Sequence, residues 1–488
     1  MESPHPSAAA YSEYSGVRMI NLFHRSAHRP HRRTHWTSAV AALTAVPVLL
    51  AGCTAADVEE NVPPGEIGGT LNMWVGLDTV DDATMAEYKR LYIEPFQKQY
   101  PNVEFKLSPQ NNEGLTAKVQ TALAAGQGPD IIPLNSSVAI PFAEAGYLAD
   151  LGGVAEQENW KEKIFPWAMD IGVVNDKLVV MPVSYETMVL FYNKTLFEKK
   201  GWQVPTDRAM LEDVIAKMTA AGITPFANAN ADYVGATEHV LSCFLNMVAG
   251  PGKINDALNG KIPFTDQAFV DSVEMMVDYF RKGYFNGGVK QYFSTPDTQK
   301  MAKLANGSTG MFLSGSWEIG GMNEYFKESG NEWDWAPLPS LAPGVPGNVF
   351  PLAIGDAMAV NAASKNLPAA KAYLKWKFSD TEARWQAIKE VGDLPLPVKF
   401  DASGAPEGID PRFLSQYTAI SDASLKKQVG YVTWVSFGAA AESYLLENED
   451  RLLTGDLSAR DFLENVNKAF KKDHDEGLIP PAFETAAR

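Results

Sequence analysis

The sequence predicts an α/β chain folded into two lobes, and three observations carry that prediction. Residues 69–132 alternate short apolar strands with amphipathic helices. The stretch Met181–Phe197, MPVSYETMVLFYNKTLF, reads as a crossing from one lobe to the next. Setting aside an N-terminal leader of residues 1–52 leaves 436 residues, more than one ordinary core holds.

The leader comes first in the chain. Arg25, Arg29, Arg32 and Arg33 form a basic region, and Ala39–Ala51 is an apolar run too short for a transmembrane helix but suited to a secretory signal. It ends in Leu50-Ala51-Gly52-Cys53, which resembles the lipobox of bacterial lipoproteins. The resemblance implies cleavage before Cys53 and acylation of that residue; the alternative is an ordinary signal with an incidental cysteine. Residues 53–68 then read as a lipidated cysteine and an acidic, Pro/Gly-rich tether, TAADVEENVPPGEIG after Cys53.

Gly69–Val75 alternates as a first strand. Thr84–Tyr100 places Met85, Tyr88, Tyr92 and Phe96 at helical spacing; Val103–Leu107 is a second strand. Glu113–Ala125 puts Leu115, Val119 and Leu123 on one helical face, and Asp130–Ile132 is a short buried strand. This alternation implies a parallel sheet covered on both faces, where ligands sit beyond the carboxyl ends of strands. Trp74–Asp78 and Asn135-Ser136-Ser137 follow strand ends and are therefore candidates, with core packing the alternative for Trp74.

At the crossing, Met188–Tyr192 is a buried strand, and Thr195–Lys200 is a helix stopped by Gly201. Tyr185 and Glu186 precede that strand and are placed to face a cleft between lobes. Beyond it, Asp207–Ala221 and a helix capped by Thr265 and running to Lys282 are amphipathic, and Ala227–Tyr233 is a polar loop with one aromatic. Asp297–Leu304 is a further helix; Gly310–Leu313 is a strand, and Ser314–Trp317 a tight turn carrying an indole. Trp333–Pro346 reads as an ordered loop and Leu352–Asn361 as a strand-like return. Two helices follow at Asn366–Phe378 and Asp380–Val391, the second opened by a capping box of Ser379 and Glu382. Leu394–Gly408 is a Pro-rich crossing, Gly430–Asn448 is amphipathic with Trp434 near its start, and Asp456–Glu476 is a charged closing helix.

Composition narrows the chemistry. The whole chain carries −17 at pH 7, and without its basic leader −20, which argues against nucleic acid and against an anionic membrane surface. With Cys53 lipidated, Cys243 stands alone in an apolar run, so no internal disulfide forms and a buried inert thiol is expected. Only His239 and His474 lie outside the leader, which disfavours a multi-His metal site or a Ser–His hydrolase; no GxSxG, P-loop or HExxH pattern occurs. No cofactor is expected.

Four stretches together resemble the extracellular solute-binding proteins of bacterial ABC sugar importers, the maltose-binding-protein-like group. They are ALAAGQGPDII at 122–132, FAEAGYLADL at 142–151, the crossing with YNKTLFEKKGWQVP up to Pro205, and GMFLSGSW at 310–317 followed by AVNAAS at 359–364. The Asp-Arg pair that some maltose binders carry after the third strand is absent, with Ser137-Val138 in its place. The resemblance implies a two-lobed periplasmic-binding-protein fold, each lobe a mainly parallel sheet flanked by helices, with a hinge between. Lobe 1 is expected at 69–183 plus 358–399 and lobe 2 at 184–357 plus 400–488.

It also implies a carbohydrate ligand, an ABC permease as partner, a monomer, and an extracytoplasmic location with the membrane reached only through the lipid on Cys53. Sugar recognition needs flat aromatic faces for C–H surfaces and carboxylates or amides for hydroxyls. By position, Trp74, Asp78, Asn135, Ser136, Tyr185, Glu186, Tyr233, Trp317, Asp356 and Trp434 supply that set. Glu186 and Asp356 fit equally as solvated acids, and Trp434 as core. A secreted glycoside hydrolase with two catalytic carboxylates is the competing class; a binder of polyols or sugar phosphates is a third.

Overall fold

The computed structural model describes residues 63–77, 80–111, 115–134, 138–231, 233 and 235–485. Cys53, Asp78, Asn135 and Ser136 lie outside the described residues. In chain order the strands are β1 (Gly68–Leu77), β2 (Asn102–Asn111), β3 (Ile131–Leu134), β4 (Val173–Val174), β5 (Lys177–Leu178), β6 (Met181–Pro182), β7 (Tyr185–Asn193), β8 (Thr224–Phe226), β9 (Thr309–Gly315), β10 (Trp333–Ala336), β11 (Phe350–Ile354), β12 (Ala357–Val360) and β13 (Val429–Tyr431).

They build two main sheets. The first has the order β2-β1-β3-β12-β6 and the second β13-β11-β7-β9-β8, with β10 also on β7; β4 and β5 form a small hairpin. In the first sheet β1 runs parallel to both β2 and β3, as the alternation predicts. Helices cover it through an aromatic core in which Phe96 stacks on Tyr100 at 4.5 Å and meets Tyr373 and Trp376 edge-on. Both sheets depart from the mainly parallel arrangement expected: in the first β12 is antiparallel to β3 and β6, and in the second β7 is antiparallel to β9, β10 and β11. The cause is the crossing itself. A chain that enters the second lobe on β7 and leaves it on β11 must run in opposite directions on the two strands.

Those crossings are tied together. The Val183 amide donates to the Asp356 carbonyl at 2.9 Å, the Gly355 amide to the Ser184 carbonyl at 3.1 Å, and the Asp356 amide to Ser184 Oγ at 2.7 Å. A third segment joins them where the Tyr185 amide donates to the Pro395 carbonyl at 3.1 Å. That segment links helix Thr381–Val391, beside the first sheet, to helix Pro411–Leu425, beside the second.

Local signals mostly hold. Asn193 caps helix Lys194–Lys200 by accepting from the Leu196 amide, and Gly201 ends it with φ 66°. Four assignments change. Asp266, not Thr265, caps helix Gln267–Arg281, and Asp380, not Ser379, caps Thr381–Val391; a carboxylate gains more at a helix N-terminus than a hydroxyl. Gly430–Asn448 is not one amphipathic helix but β13, helix Thr433–Ser436 and helix Ala439–Thr454, broken by Gly438 at φ 81°. Trp333–Pro346 opens with β10 rather than as loop, because Trp333 and Trp335 pair with Asn193 and Phe191 of β7.

Candidate ligand cleft

The cleft floor is built on the second lobe by three elements whose ends meet. Helix Ala236–Phe244 brings Glu238 and His239. The turn Ser316–Glu318, directly after β9, brings Trp317, and helix Thr433–Ser436, directly after β13, brings Trp434. The His239 ring lies 5.2 Å from Trp317, 5.0 Å from Trp434 and 5.5 Å from Tyr233, and the two indoles meet edge-on at 6.3 Å. Aromatic pairs at these separations and tilts attract one another beyond their burial.

Two glycines make room for these rings. The indole of Trp317 lies over Gly315, and the phenol of Tyr233 lies over Gly235; a Cβ at either glycine would collide with the ring. Strand β9 therefore ends in a small residue not to turn the chain but to let an indole lie flat against the backbone. Helix Ala236–Phe244 consequently starts with Gly235 and has no side-chain cap of its own. Asp450 sits at that end instead, accepting from Thr237 Oγ1 at 2.8 Å and from Asn230 at 3.0 Å.

Carboxylates surround the rings. Glu186, second residue of β7, is pushed up to about 8, first by burial and then by the negative charge of Asp356; the Trp434 indole, hydrogen-bonded to it, opposes the shift. Glu238 is buried, accepts from Thr433 Oγ1 at 2.6 Å and is raised to about 7; Glu442 is raised to about 8 by burial and by Glu238. His239 is held neutral, pushed down to about 3 by burial and by Lys300. Lys300 is itself matched by Asp297 at 2.6 Å and Glu318 at 3.2 Å, and Ser314 Oγ also donates to Glu318. Among the described residues, no group of three or more His, Cys, Asp and Glu side chains is arranged to hold a metal ion.

The arrangement thus offers tilted aromatic faces, a neutral imidazole and carboxyl groups that both donate and accept near pH 7. That inventory suits a hydroxyl-rich ligand with apolar C–H faces.

Of the expected site residues, Glu186, Tyr233, Trp317 and Trp434 come together here, with Asp356 exposed at the adjacent crossing. Tyr185 does not. It is fully buried, its ring 5.3 Å from Tyr417, 6.1 Å from Phe165 and 6.2 Å from Trp167, so it belongs to the packing between crossings. The alternation of β7 explains this: neighbours on a strand point to opposite faces, so Tyr185 and Glu186 cannot both face the cleft. Trp74 is half-buried on β1 of the first lobe, packed against that lobe's core and outside the ring cluster. Sequence reasoning missed His239, Glu238 and Glu442. The available signal was the Glu238-His239 pair interrupting an otherwise apolar helix.

Over residues 82–384 the chain matches the family model described as bacterial extracellular solute-binding protein. It belongs to that family. An uncharacterized ABC transporter extracellular-binding protein of Pyrococcus horikoshii is 25% identical over 389 residues, covering 77% of this chain and 80% of the relative. A multiple sugar-binding protein of Streptococcus mutans is 23% identical over 329 residues, 65% of this chain and 73% of its own. Among solved structures, a chitin oligosaccharide binding protein superposes with a TM-score of 0.68 at 19% identity, covering 83% of this chain and 98% of its own; that likeness speaks to the fold, the two-lobed α/β architecture. No helix among the described residues is long and apolar enough to cross a membrane.

Proposed function

We propose that the protein binds a mono- or oligosaccharide between its two lobes, without catalysis, and delivers it to the permease of an ABC importer. The observation that carries the reading is the floor of Trp317, Trp434 and Tyr233 around a neutral His239, with Glu186 beside it at the crossing. The names of the relatives above support the same ligand class. A sugar phosphate fits less well, because Lys300, the cation nearest the floor, is already matched by Asp297 and Glu318. Asp78, Asn135 and Ser136 are proposed to complete the site from the first lobe. In this reading lobe 1 spans 69–183 and 358–399 and lobe 2 spans 184–357 and 400–488.

Closure is the test. The lobes rotate about the crossings as rigid bodies, so a sugar that saturates the protein in a calorimetric titration also lowers its radius of gyration in solution scattering. Saturable binding with an unchanged scattering profile would overturn closure, and turnover of the sugar would overturn the non-catalytic reading. Anchoring is proposed to depend on Cys53: Cys53→Ala should release the protein from the membrane fraction or leave an uncleaved precursor, and a variant processed and retained like the parent would rule the lipid out.

A further inference from the structure

Residues 478–485 follow helix Ala459–Asp475 and reach the ring cluster beside the crossings. After helix Ala459–Asp475 the chain turns at Gly477, φ 72°, and the segment to residue 485 has no regular structure. Most of its fastenings are to the second lobe. Ile479 covers Gly438 so closely that a Cβ there would collide with it. The Phe483 ring stacks on Tyr431 of β13 at 4.3 Å and 22°, and the Phe483 carbonyl accepts from the Tyr431 hydroxyl and from Asn255 Nδ2. Glu484 pairs with Lys427.

One contact goes the other way. The Phe483 ring also meets Trp167, at 5.8 Å and a tilt of 54°. Trp167 lies on helix Pro166–Gly172, between the hairpin and strands of the first lobe, and its indole in turn touches Tyr185, the first residue of β7 past the crossing. Phe483 is only 8% exposed although the segment that carries it has no regular structure. Its carbonyl is fixed to β13 and to helix Pro251–Leu258, so the ring cannot follow Trp167 when the first lobe turns. The ring contact therefore exists at one hinge angle and is lost or reshaped at another. A contact that differs between two states shifts the balance between them by its own free energy.

The exposure of the floor marks the hinge angle as an open one. Tyr233 stays 45% exposed, and among the described residues every ring touching the floor residues His239, Trp317 and Trp434 comes from the second lobe. We propose that residues 478–485 act as an interlobe strap, in which Phe483, wedged between Tyr431 and Trp167, holds the ligand-free protein open. The strap is a property of the hinge and does not depend on what the cleft binds.

The test needs no ligand. Solution scattering of the ligand-free chain is compared with that of Phe483→Ala and of a chain ending at Gly477. Both should shift to a smaller radius of gyration as closed molecules become populated. Phe483→Leu serves where the first two lose their fold: it still covers Tyr431 but is too short to reach Trp167, and the same shift is expected. Thermal melts show which variants are folded. A folded Phe483→Leu variant whose profile superposes on the parent's, or one that is more extended, would overturn the strap and reduce Phe483 to a packing residue.

Discussion

The chain places two clusters of aromatic rings a short distance apart and uses them oppositely. Around the crossings, Phe165, Trp167, Tyr185 and Tyr417 are buried to 7% exposure or less and pack ring against ring across segments far apart in sequence. Around the cleft, Tyr233, His239, Trp317 and Trp434 keep solvent on one side, and two of them lie over glycines. The first cluster also runs on through Phe400 and Phe413, which meet Tyr417 at 5.8 and 4.6 Å, so it links the first and third crossings. The second is ringed by Glu186, Glu238 and Glu442. Residue type is the same in both places; what differs is whether neighbours supply carbon or carboxyl groups. Rings surrounded by carbon hold the lobes to a common axis. Rings left with one open face and polar rims are available to a ligand.

That comparison is broken most severely at the hinge. Trp167→Ala removes a large buried side chain and should cost about 3–5 kcal/mol of stability, read from urea unfolding. A loss below about 1 kcal/mol would mean the hinge cluster is not core. At the cleft the outcome should invert. Trp317→Ala should weaken binding of whichever sugar titrates by ~2 kcal/mol, roughly 30-fold, with little change in the unliganded melting temperature. Trp317→Phe should keep part of the affinity. Gly315→Ala sharpens the point: its backbone, φ −98°, accepts alanine, so any loss of affinity reports the displaced indole alone. A large stability loss with unchanged affinity for Trp317→Ala would move that residue into the core class.

The smallest expected effect is on pH. Glu186, Glu238 and Glu442 have folded values of about 8, 7 and 8, above the ordinary carboxylate range, so the folded chain holds protons that the unfolded chain has released. Stability from these groups is present at low pH and is lost as pH rises through 7 and 8. His239, pushed down to about 3, acts oppositely below about pH 6.5, where the unfolded chain gains a proton that the folded chain refuses. The melting temperature of the ligand-free protein should therefore fall between pH 6.5 and 8.5. A flat or rising profile there would show these carboxyls to be ionised and well solvated.

Much of this was legible from local pattern. The alternation of residues 69–132, the stop at Gly201 and the apolar run of β7 are decided within a few residues, because backbone conformation and side-chain period are local properties. The small residues before Trp317 were legible too, but not that its indole folds back over Gly315. The reach of local pattern ended where burial is set by partners distant in sequence. Tyr185 and Glu186 read alike in the sequence. Tyr417, whose hydroxyl donates to the Tyr185 carbonyl from 232 residues away, makes one of them core, and the other is left facing the cleft. His239 counted in the sequence only as one of two histidines outside the leader, and became the centre of the floor only because β9 and β13 bring Trp317 and Trp434 beside it. Sequence alone determined most of the strands and helices, the charge and the supply of aromatic and acidic side chains. Tertiary structure decided which of them meet, because a ring's environment is a sum over neighbours that the chain order does not place side by side.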